Sequence, residues 1–228
     1  MMRTTVSALA VLAIAACSGK AVAFTQGFED ITNMPGWFTQ NNSSPIGTTN
    51  WFQGNSGVFP AHSGPDNSYI GANFNNGAGL ATISNWLLTP VVTLNNGDTM
   101  SFWARSIDSV FPDRLQVRMS TNGASTNVGA TATSVGDFTT LLLDINPNYQ
   151  QGVFVNAWTQ HTVTVSGLGG ATSGRFAFRY FVENAGPSGN NSDYIGIDTV
   201  EYTPVPEPAT MLALGVGLAA LAARRRRK

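Results

Sequence analysis

The segment "GRFAFRYFV", residues 174–182, alternates large apolar side chains with small or polar ones. The apolar positions on one parity are Phe176, Phe178, Tyr180 and Val182. Successive side chains of a β-strand point to opposite faces of its sheet, so these four would share one face. An α-helix would scatter them around its surface. The segment therefore predicts a strand that packs one side against a hydrophobic core.

The same alternation recurs on both sides of this segment. In "RLQVRMS", residues 114–120, Leu115, Val117 and Met119 share one face. Further strands are predicted in "NWLLTP", "TMSFWARS", "HTVTVSG" and "DYIGIDTVEY". Turns rich in Asn and Gly separate them, and no helical period precedes the C-terminal tail. About nine or ten short strands of this kind predict an all-β, antiparallel β-sandwich, with a small, polar and mobile loop at 123–137.

The N-terminus has the three parts of a secretory signal peptide. Arg3 precedes an apolar run, and Ala21-Val22-Ala23 supplies small residues for cleavage after Ala23 by signal peptidase. Residues 1–23 are therefore predicted to be removed. The alternative is lipidation, because Ile14-Ala15-Ala16-Cys17 loosely resembles a lipoprotein box that would be cut before Cys17. Cleavage after Ala23 is favoured, and the mature chain would then contain no cysteine.

The C-terminus combines a proline-rich junction, an apolar run and a basic end. Residues 209–223 carry no charge, and as a helix they would span about 22 Å, against about 30 Å for the hydrocarbon core of a bilayer. The basic end consists of Arg224, Arg225, Arg226, Arg227 and Lys228. Such cations stay on the cytoplasmic side, so the preceding chain would face outward. The pattern predicts a transient span beside an accessible processing site.

Pro206-Glu207-Pro208, followed by the apolar run and the arginines, resembles the PEP-CTERM sorting signal of Gram-negative bacteria. The resemblance covers residues 204–228. It implies recognition by an exosortase, cleavage near the tripeptide, and an inner-membrane intermediate held only through 209–223. The final location would be the outer envelope or the extracellular matrix. The alternative is an ordinary tail-anchored protein that keeps its helix.

Residues 24–203 are similar to choice-of-anchor J domains, which resemble cleaved-adhesin and, more distantly, MAM domains. The resemblance rests on "NWLLTPVVTLNNGDTMSFWAR", "GRFAFRYFV" and "DYIGIDTVEY", which follow one another in the same order. It implies a jelly-roll sandwich that acts in adhesion or in biofilm and exopolysaccharide association, without catalysis. The alternative function is a carbohydrate-binding module that docks the cell to polysaccharide.

Three carboxylates are candidates for a structural metal site. Glu29 and Asp198 are predicted to lie on the first and last strands, which can be neighbours in a jelly roll, and Asp66 lies in a turn before a strand. Hard oxygen ligands of this kind suit Ca²⁺. The resemblance implies that matching acidic positions hold a buried cation, and Asn67 is a weaker candidate ligand. The alternative is that these carboxylates are only hydrogen-bonded.

The charge of the predicted mature chain restricts its partners. Residues 24–206 contain seven more acidic than basic side chains and no lysine, although the whole chain has a net charge of −1. This excess excludes nucleic acid and anionic membranes as natural partners. In "NWFQGNSGVFPAHSG", Trp51, Phe59 and His62 could instead stack on sugar rings. Otherwise these aromatic side chains fill an edge of the sandwich.

No catalytic residue is predicted. Ser56 in Gly-Asn-Ser-Gly is followed by His62 and Asp66, but loop proximity alone supplies neither a triad nor an oxyanion hole. Asp108 and Asp113 form a close pair that a glycosidase could use, and Asp113 before Arg114 is typical of a turn acid with a local ion pair. The sequence therefore predicts a protein that is not an enzyme.

Overall fold

The alternating segments form strands in the structure, a computed structural model that describes residues 23–107 and 110–206. The strands are β1 (Phe24–Gln26), β2 (Phe38–Asn41), β3 (Ser44–Ile46), β4 (Phe52–Gln53), β5 (Ile70–Asn73), β6 (Gly77–Leu88), β7 (Val92–Leu94), β8 (Thr99–Ser106), β9 (Leu115–Ser120), β10 (Thr140–Ile145), β11 (Thr159–Thr164), β12 (Thr172–Ala185) and β13 (Tyr194–Thr203). A single 3₁₀ turn, Phe74–Asn76, joins β5 to β6, and no α-helix occurs in the described part of the chain.

The strands form two antiparallel sheets. The first sheet has the order β11-β8-β13-β5-β4, and β1 also pairs with β13. The second sheet has the order β10-β9-β12-β6-β2, with β3 on β6 and β7 on β12. Most of the longer strands change sheet from one to the next along the chain, although β9 and β10 are neighbours in the second sheet. The row β5-β13-β8-β11 faces the row β6-β12-β9-β10, which is a jelly-roll arrangement. The predicted jelly-roll sandwich is confirmed. The described residues form thirteen strands rather than nine or ten, because four of them have only two or three residues.

The predicted inner faces are also confirmed. Phe176, Phe178 and Tyr180 of β12 are fully buried in the main core, as are Leu115 and Val117 of β9. Burying such side chains contributes about 1.5 to 3 kcal/mol each, which is why the alternation in the sequence determines the two layers.

The first and last strands lie side by side, as expected for this fold. Phe24 pairs with Tyr202, and Gln26 pairs with Val200. The ring centroids of Phe24 and Tyr202 are 5.8 Å apart. Both ends of the sandwich chain therefore leave the first sheet from the same place.

The outer face of the first sheet is covered by the loop of residues 54–69. Phe59 packs on Tyr69 with ring centroids 4.9 Å apart, and the edge of Trp158 meets Phe59 at 5.6 Å. These rings lie over Gly196 of β13, where an added Cβ would come within 2.9 Å of all three. Glycine is needed at this position because the rings occupy the space of a side chain.

The outer face of the second sheet is covered by the loop at 123–137, which packs as a second small core. Trp86, Phe138 and Val128 are almost completely buried there. The carboxylate of Asp137 accepts hydrogen bonds from Asn122 Nδ2 at 2.8 Å and from Ser125 Oγ at 2.6 Å. The prediction of a mobile loop is wrong, because these contacts hold the small polar residues against the sheet.

Several predictions fall on residues outside the described ranges. They concern the signal peptide up to Val22, Cys17, Glu207, Pro208, the apolar run at 209–223 and the basic end at 224–228. Ala23 and Pro206, which flank the predicted cleavage points, are both exposed. Among residues 23–107 and 110–206, no helix has the length and hydropathy needed to cross a membrane.

Candidate functional site

A cleft opens where three connections of the sandwich meet, those joining β5 to β6, β8 to β9, and β12 to β13. Backbone hydrogen bonds link the connections directly. The amide of Phe74 donates to Asp193 O at 2.9 Å, and the amide of Ser192 donates to Pro112 O at 3.1 Å. Ser188 N donates to Gly79 O at 3.1 Å. Hydrogen bonds between backbone segments therefore hold the walls of the cleft together.

The cleft has a volume of about 190 Å³ and mixed apolar and polar walls. Its lining residues are Phe74, Phe111, Gly186, Pro187, Gly189, Ser192 and Asp193. Phe111 is 42% exposed, and Val110 beside it is 70% exposed. The Ser192 hydroxyl accepts a hydrogen bond from Gly186 N at 3.0 Å. Such a mixture suits a ligand with both apolar and hydroxyl surfaces.

Asp113 lies buried beside the cleft. Its carboxylate accepts hydrogen bonds from the Tyr180 hydroxyl and from Asp193 N, the latter at 2.8 Å. Burial raises the pKa of Asp113 to about 7, although these two hydrogen bonds oppose the shift. Asp113 therefore fixes the backbone at Asp193 and does not form the local ion pair with Arg114 that the sequence suggested. Arg114 instead pairs with Asp144 at 2.6 Å.

The side chains predicted to contact glycans, Trp51, Phe59 and His62, do not line the cleft. Trp51 is 7% exposed and belongs to the main core, and Phe59 is 3% exposed beneath the 54–69 loop. The half-buried ring of His62 stacks on Trp103 of β8, with centroids 3.8 Å apart. Trp51 and Phe59 thus serve as packing side chains, which is the alternative that the sequence left open.

The candidate metal ligands divide into two groups. Glu29, Asp66 and Asn67 are exposed, whereas Asp198 is fully buried on the outer face of β13. Asp198 Oδ2 accepts hydrogen bonds from His62 N at 2.9 Å and from Ser63 N at 3.0 Å. Burial raises the pKa of Asp198, and these amide donors oppose the shift. Asp198 therefore fastens the 54–69 loop to the sheet through these hydrogen bonds.

The segments that carry Glu29 and Asn67 are brought together by Gln53. Its Nε2 donates to Phe28 O at 2.7 Å and to Asn67 O at 2.6 Å, and its Oε1 accepts from Ile31 N at 3.1 Å. Carbonyl oxygens beside exposed carboxylates are the donors that Ca²⁺ prefers, so these segments fit such an ion. No three His, Cys, Asp or Glu side chains converge as a metal cluster within the described residues. The calcium site stays a prediction.

The residues considered for catalysis do not form a triad in the described part of the chain. His62 Nδ1 lies 3.2 Å from Thr199 Oγ1, and Ser56 and Asp66 are exposed loop residues that make no hydrogen bond to this imidazole. Asp108 lies outside the described residues, and its partner Asp113 is buried.

The five arginines of the sandwich all donate to groups within the chain. They are Arg105, Arg114, Arg118, Arg175 and Arg179. Arg175 donates to the carbonyls of Thr89 and Gly36, at 2.7 and 2.6 Å. Arg179 is 2% exposed and lies 3.9 Å from the ring centre of Phe181. Guanidinium groups suit this role because their planar fork satisfies several carbonyls at once. None of them lines the cleft.

The cleft is not predicted by the sequence. Its residues come from three connections that are far apart in sequence, and "VFP" at 110–112 drew attention only as the surroundings of two acids. The available signal was an exposed aromatic residue inside a short connection between strands. Such a signal is weak, because single exposed apolar residues are common, although binding residues concentrate in loops.

Comparison with known proteins gives independent results for the two parts of the chain. Residues 204–227 match the model of the PEP-CTERM protein-sorting motif. The chain therefore carries this motif at its C-terminus, as the resemblance predicted. No curated protein sequence matches the chain.

The fold of the sandwich is similar to cleaved adhesin domains of Lys-gingipain (Kgp) from Porphyromonas gingivalis W83. The K1 domain is 23% identical, with a TM-score of 0.56, and the match covers 81% of this chain and 99% of that one. The K3 domain is 20% identical, with a TM-score of 0.50 and the same coverage. The K2 domain of Lys-gingipain, also 20% identical, has a TM-score of 0.52 and covers 80% of this chain and 100% of that chain. The chain thus has the adhesin-like fold that the sequence predicted.

Proposed function

We propose that this chain is an exported protein that exosortase processing places on the outer envelope or in the extracellular matrix, where its sandwich acts in adhesion without catalysis. The single observation that carries the proposal is the PEP-CTERM motif at residues 204–227. Signal peptidase would cleave after Ala23 and exosortase near Pro206-Glu207-Pro208. Membrane contact would then be limited to the intermediate held by residues 209–223.

The way in which the sandwich chain ends supports processing. Strand β13 ends at Thr203, and the last tether is the hydrogen bond from Val205 N to Asp98 Oδ1, at 2.8 Å. Pro206 follows immediately and is exposed. Cleavage beyond Pro206 would therefore not require the sheet to unfold.

The structure of the sandwich is compatible with adhesion. Stability comes from two sheets and their covering loops, and the described residues contain no cysteine. The excess of seven acidic side chains over residues 24–206 keeps such a domain away from anionic membranes and nucleic acid. The adhesin-like fold is also a common host for binding sites in its connections.

The mass and location of the protein produced in its own cells test the proposal. Wild-type protein is expected outside the cytoplasm, with a mass that lacks residues 1–23 and the segment after the tripeptide. A variant with Pro206→Ala, Glu207→Ala and Pro208→Ala is expected to keep its C-terminal mass and to stay with the inner membrane. Pro147→Ala, which changes an exposed proline outside the matched motif, is the control and should be processed normally.

Recovery of exported protein with Arg224–Lys228 still attached would contradict the proposal, as would cytosolic wild-type protein. Adhesion is measured separately, as attachment of cells that carry or lack the gene. Equal attachment of the two strains would remove the adhesive role.

A further inference from the structure

We propose that the cleft lined by Phe74, Phe111, Ser192 and Asp193 binds one uncharged sugar ring of a polysaccharide. The inference rests on the proposed surface role and names the ligand class through which that role would operate. It places the binding site at the cleft, away from the loop of Trp51, Phe59 and His62.

The apolar walls of the cleft match the ring face of a sugar. Phe74 is half-buried and Phe111 is 42% exposed, and Pro187 contributes a further apolar surface. Phe111 and Phe38 are the only phenylalanines counted as exposed in the described residues, and Phe38 lies on β2, outside the cleft. A pyranose presents C–H groups on its face, and aromatic rings bind such surfaces by dispersion and burial.

The polar side of the cleft matches hydroxyl groups. Within the described residues, the carboxylate of Asp193 makes no hydrogen bond or ion pair, so both of its oxygens can accept. Its backbone is fixed on both sides, by Asp193 N donating to Asp113 and by Asp193 O accepting from Phe74 N at 2.9 Å. The backbone that carries this carboxylate is therefore pre-organised, which lowers part of the entropy cost of binding.

Charge argues for an uncharged sugar. The cleft contains Asp193, with Asp113 buried beneath it, and no Arg or Lys of the described residues lines it. Recognition of uronate, sulfate or phosphate groups relies on cationic donors. Since the five arginines of the sandwich donate elsewhere, anionic glycans would be repelled here.

Size and position support a single ring of a longer chain. The volume of about 190 Å³ is below the ~300–1,000 Å³ of sites that enclose whole drug-sized ligands. Loops of the chain cover the outer faces of both sheets, so a flat sheet surface for sugar binding is not offered in the described structure. A single sugar ring in an open cleft is expected to bind weakly. Strong retention would require many copies of the protein to bind along one polymer.

The test measures retention of the purified full chain, kept in mild detergent, on immobilised polysaccharides. The uncharged probes are dextran, galactan, mannan and xylan, and alginate and hyaluronan are the anionic probes. Retention is expected on at least one uncharged polymer and on neither anionic polymer. Phe111→Ala and Asp193→Asn should each weaken it about tenfold. Phe38→Ala is the matched control, since it removes an exposed aromatic ring outside the cleft.

Three results would overturn the inference: no retention on any uncharged polymer, preference for an anionic one, or retention that neither cleft variant changes. Thermal unfolding of each variant checks that the sandwich is intact, and Asp193→Asn keeps the side-chain volume if Phe111→Ala fails to fold. Failure of the proposed function would appear in the mass or location of the protein, or in the attachment of the cells. Failure of this inference appears only in retention by the purified protein.

Discussion

At the scale of single residues, Gly196 shows how closely the 54–69 loop approaches the first sheet. A methyl group at this position would lie within 2.9 Å of Phe59, Tyr69 and Trp158. The three rings cannot all move away, because Phe59 is also held beneath the Arg105 guanidinium at 4.1 Å. The 54–69 loop can therefore cover the outer face of the first sheet only because residue 196 has no side chain.

Gly196→Ala is expected to lower the free energy of unfolding by about 1 to 3 kcal/mol, the usual cost of overpacking a filled site. Urea denaturation measures the change. Gly169→Ala is the matched control, since nothing lies within 4 Å of that position, and its effect should stay within about 0.5 kcal/mol. Equal effects of the two variants would contradict the packing described here.

Asp113 gives the protein a specific pH dependence. Burial raises its pKa to about 7 in the folded state, above the ~3.9 of an unfolded aspartate. The folded state therefore holds this proton more tightly than the unfolded state does. The resulting contribution to stability is complete below the unfolded pKa and is lost as the pH rises through about 7.

Wild-type protein is expected to lose about 2 kcal/mol of unfolding free energy from this group between about pH 5 and about pH 8. Asp113→Asn cannot titrate, so its loss over the same range should be smaller by that amount. Denaturation of both proteins at the two pH values measures the difference. Parallel pH profiles would show that Asp113 stays ionised in the folded protein.

At the scale of elements, arginines connect loops to strands. Arg179 on β12 donates to Ser84 Oγ at 3.0 Å and to Ala132 O in the 123–137 loop. Burial lowers its pKa to about 9, and the rings of Trp86 and Phe181 compensate the charge at 4.8 and 3.9 Å. The loop depends on this side chain because most of its own residues are small.

Arg179→Met is expected to lower the unfolding free energy by about 2 to 4 kcal/mol and to release the loop, since a buried carbonyl loses its donor. Thermolysin should then cleave near Val128 or Val135 under native conditions. Arg105→Met is the control, because Arg105 contacts the other covering loop. Cleavage at the same rate in wild type and Arg179→Met would refute the role of Arg179.

The two connections that carry Glu29, Asp66 and Asn67, together with Asp198 of β13, are where the predicted Ca²⁺ would act. If the ion joins these segments, a chelator should lower the melting temperature by several degrees, and added Ca²⁺ should restore it. Calorimetry with and without EDTA measures the shift. Glu29→Gln should reduce the response to chelator, whereas Glu201→Gln, also exposed but located on β13, should leave it unchanged. An unchanged midpoint would remove the candidate ligands.

At the scale of the whole molecule, the two layers were predictable because alternation is a local property. Phe176 and Leu115 could be assigned to the inner faces from their neighbours alone. The covers of the outer faces were not predictable. Gln116 and Arg179 are polar, yet both are buried, and Arg179 donates to Ala132 O, 47 positions earlier in the chain. The cleft was not predictable for the same reason, because its walls come from three connections that meet only in the folded chain.

The pairing of β1 with β13 has a mechanical consequence. Asp193 at the cleft precedes β13, and the exit toward the sorting motif follows Thr203, roughly 30 Å away along ten residues of extended strand. A tethered cell pulling on a captured polymer would load this strand lengthwise. Its ladders with β1, β5 and β8 run across the direction of pull, so many hydrogen bonds would resist sliding together rather than opening one by one. The sheet is oriented to withstand shear.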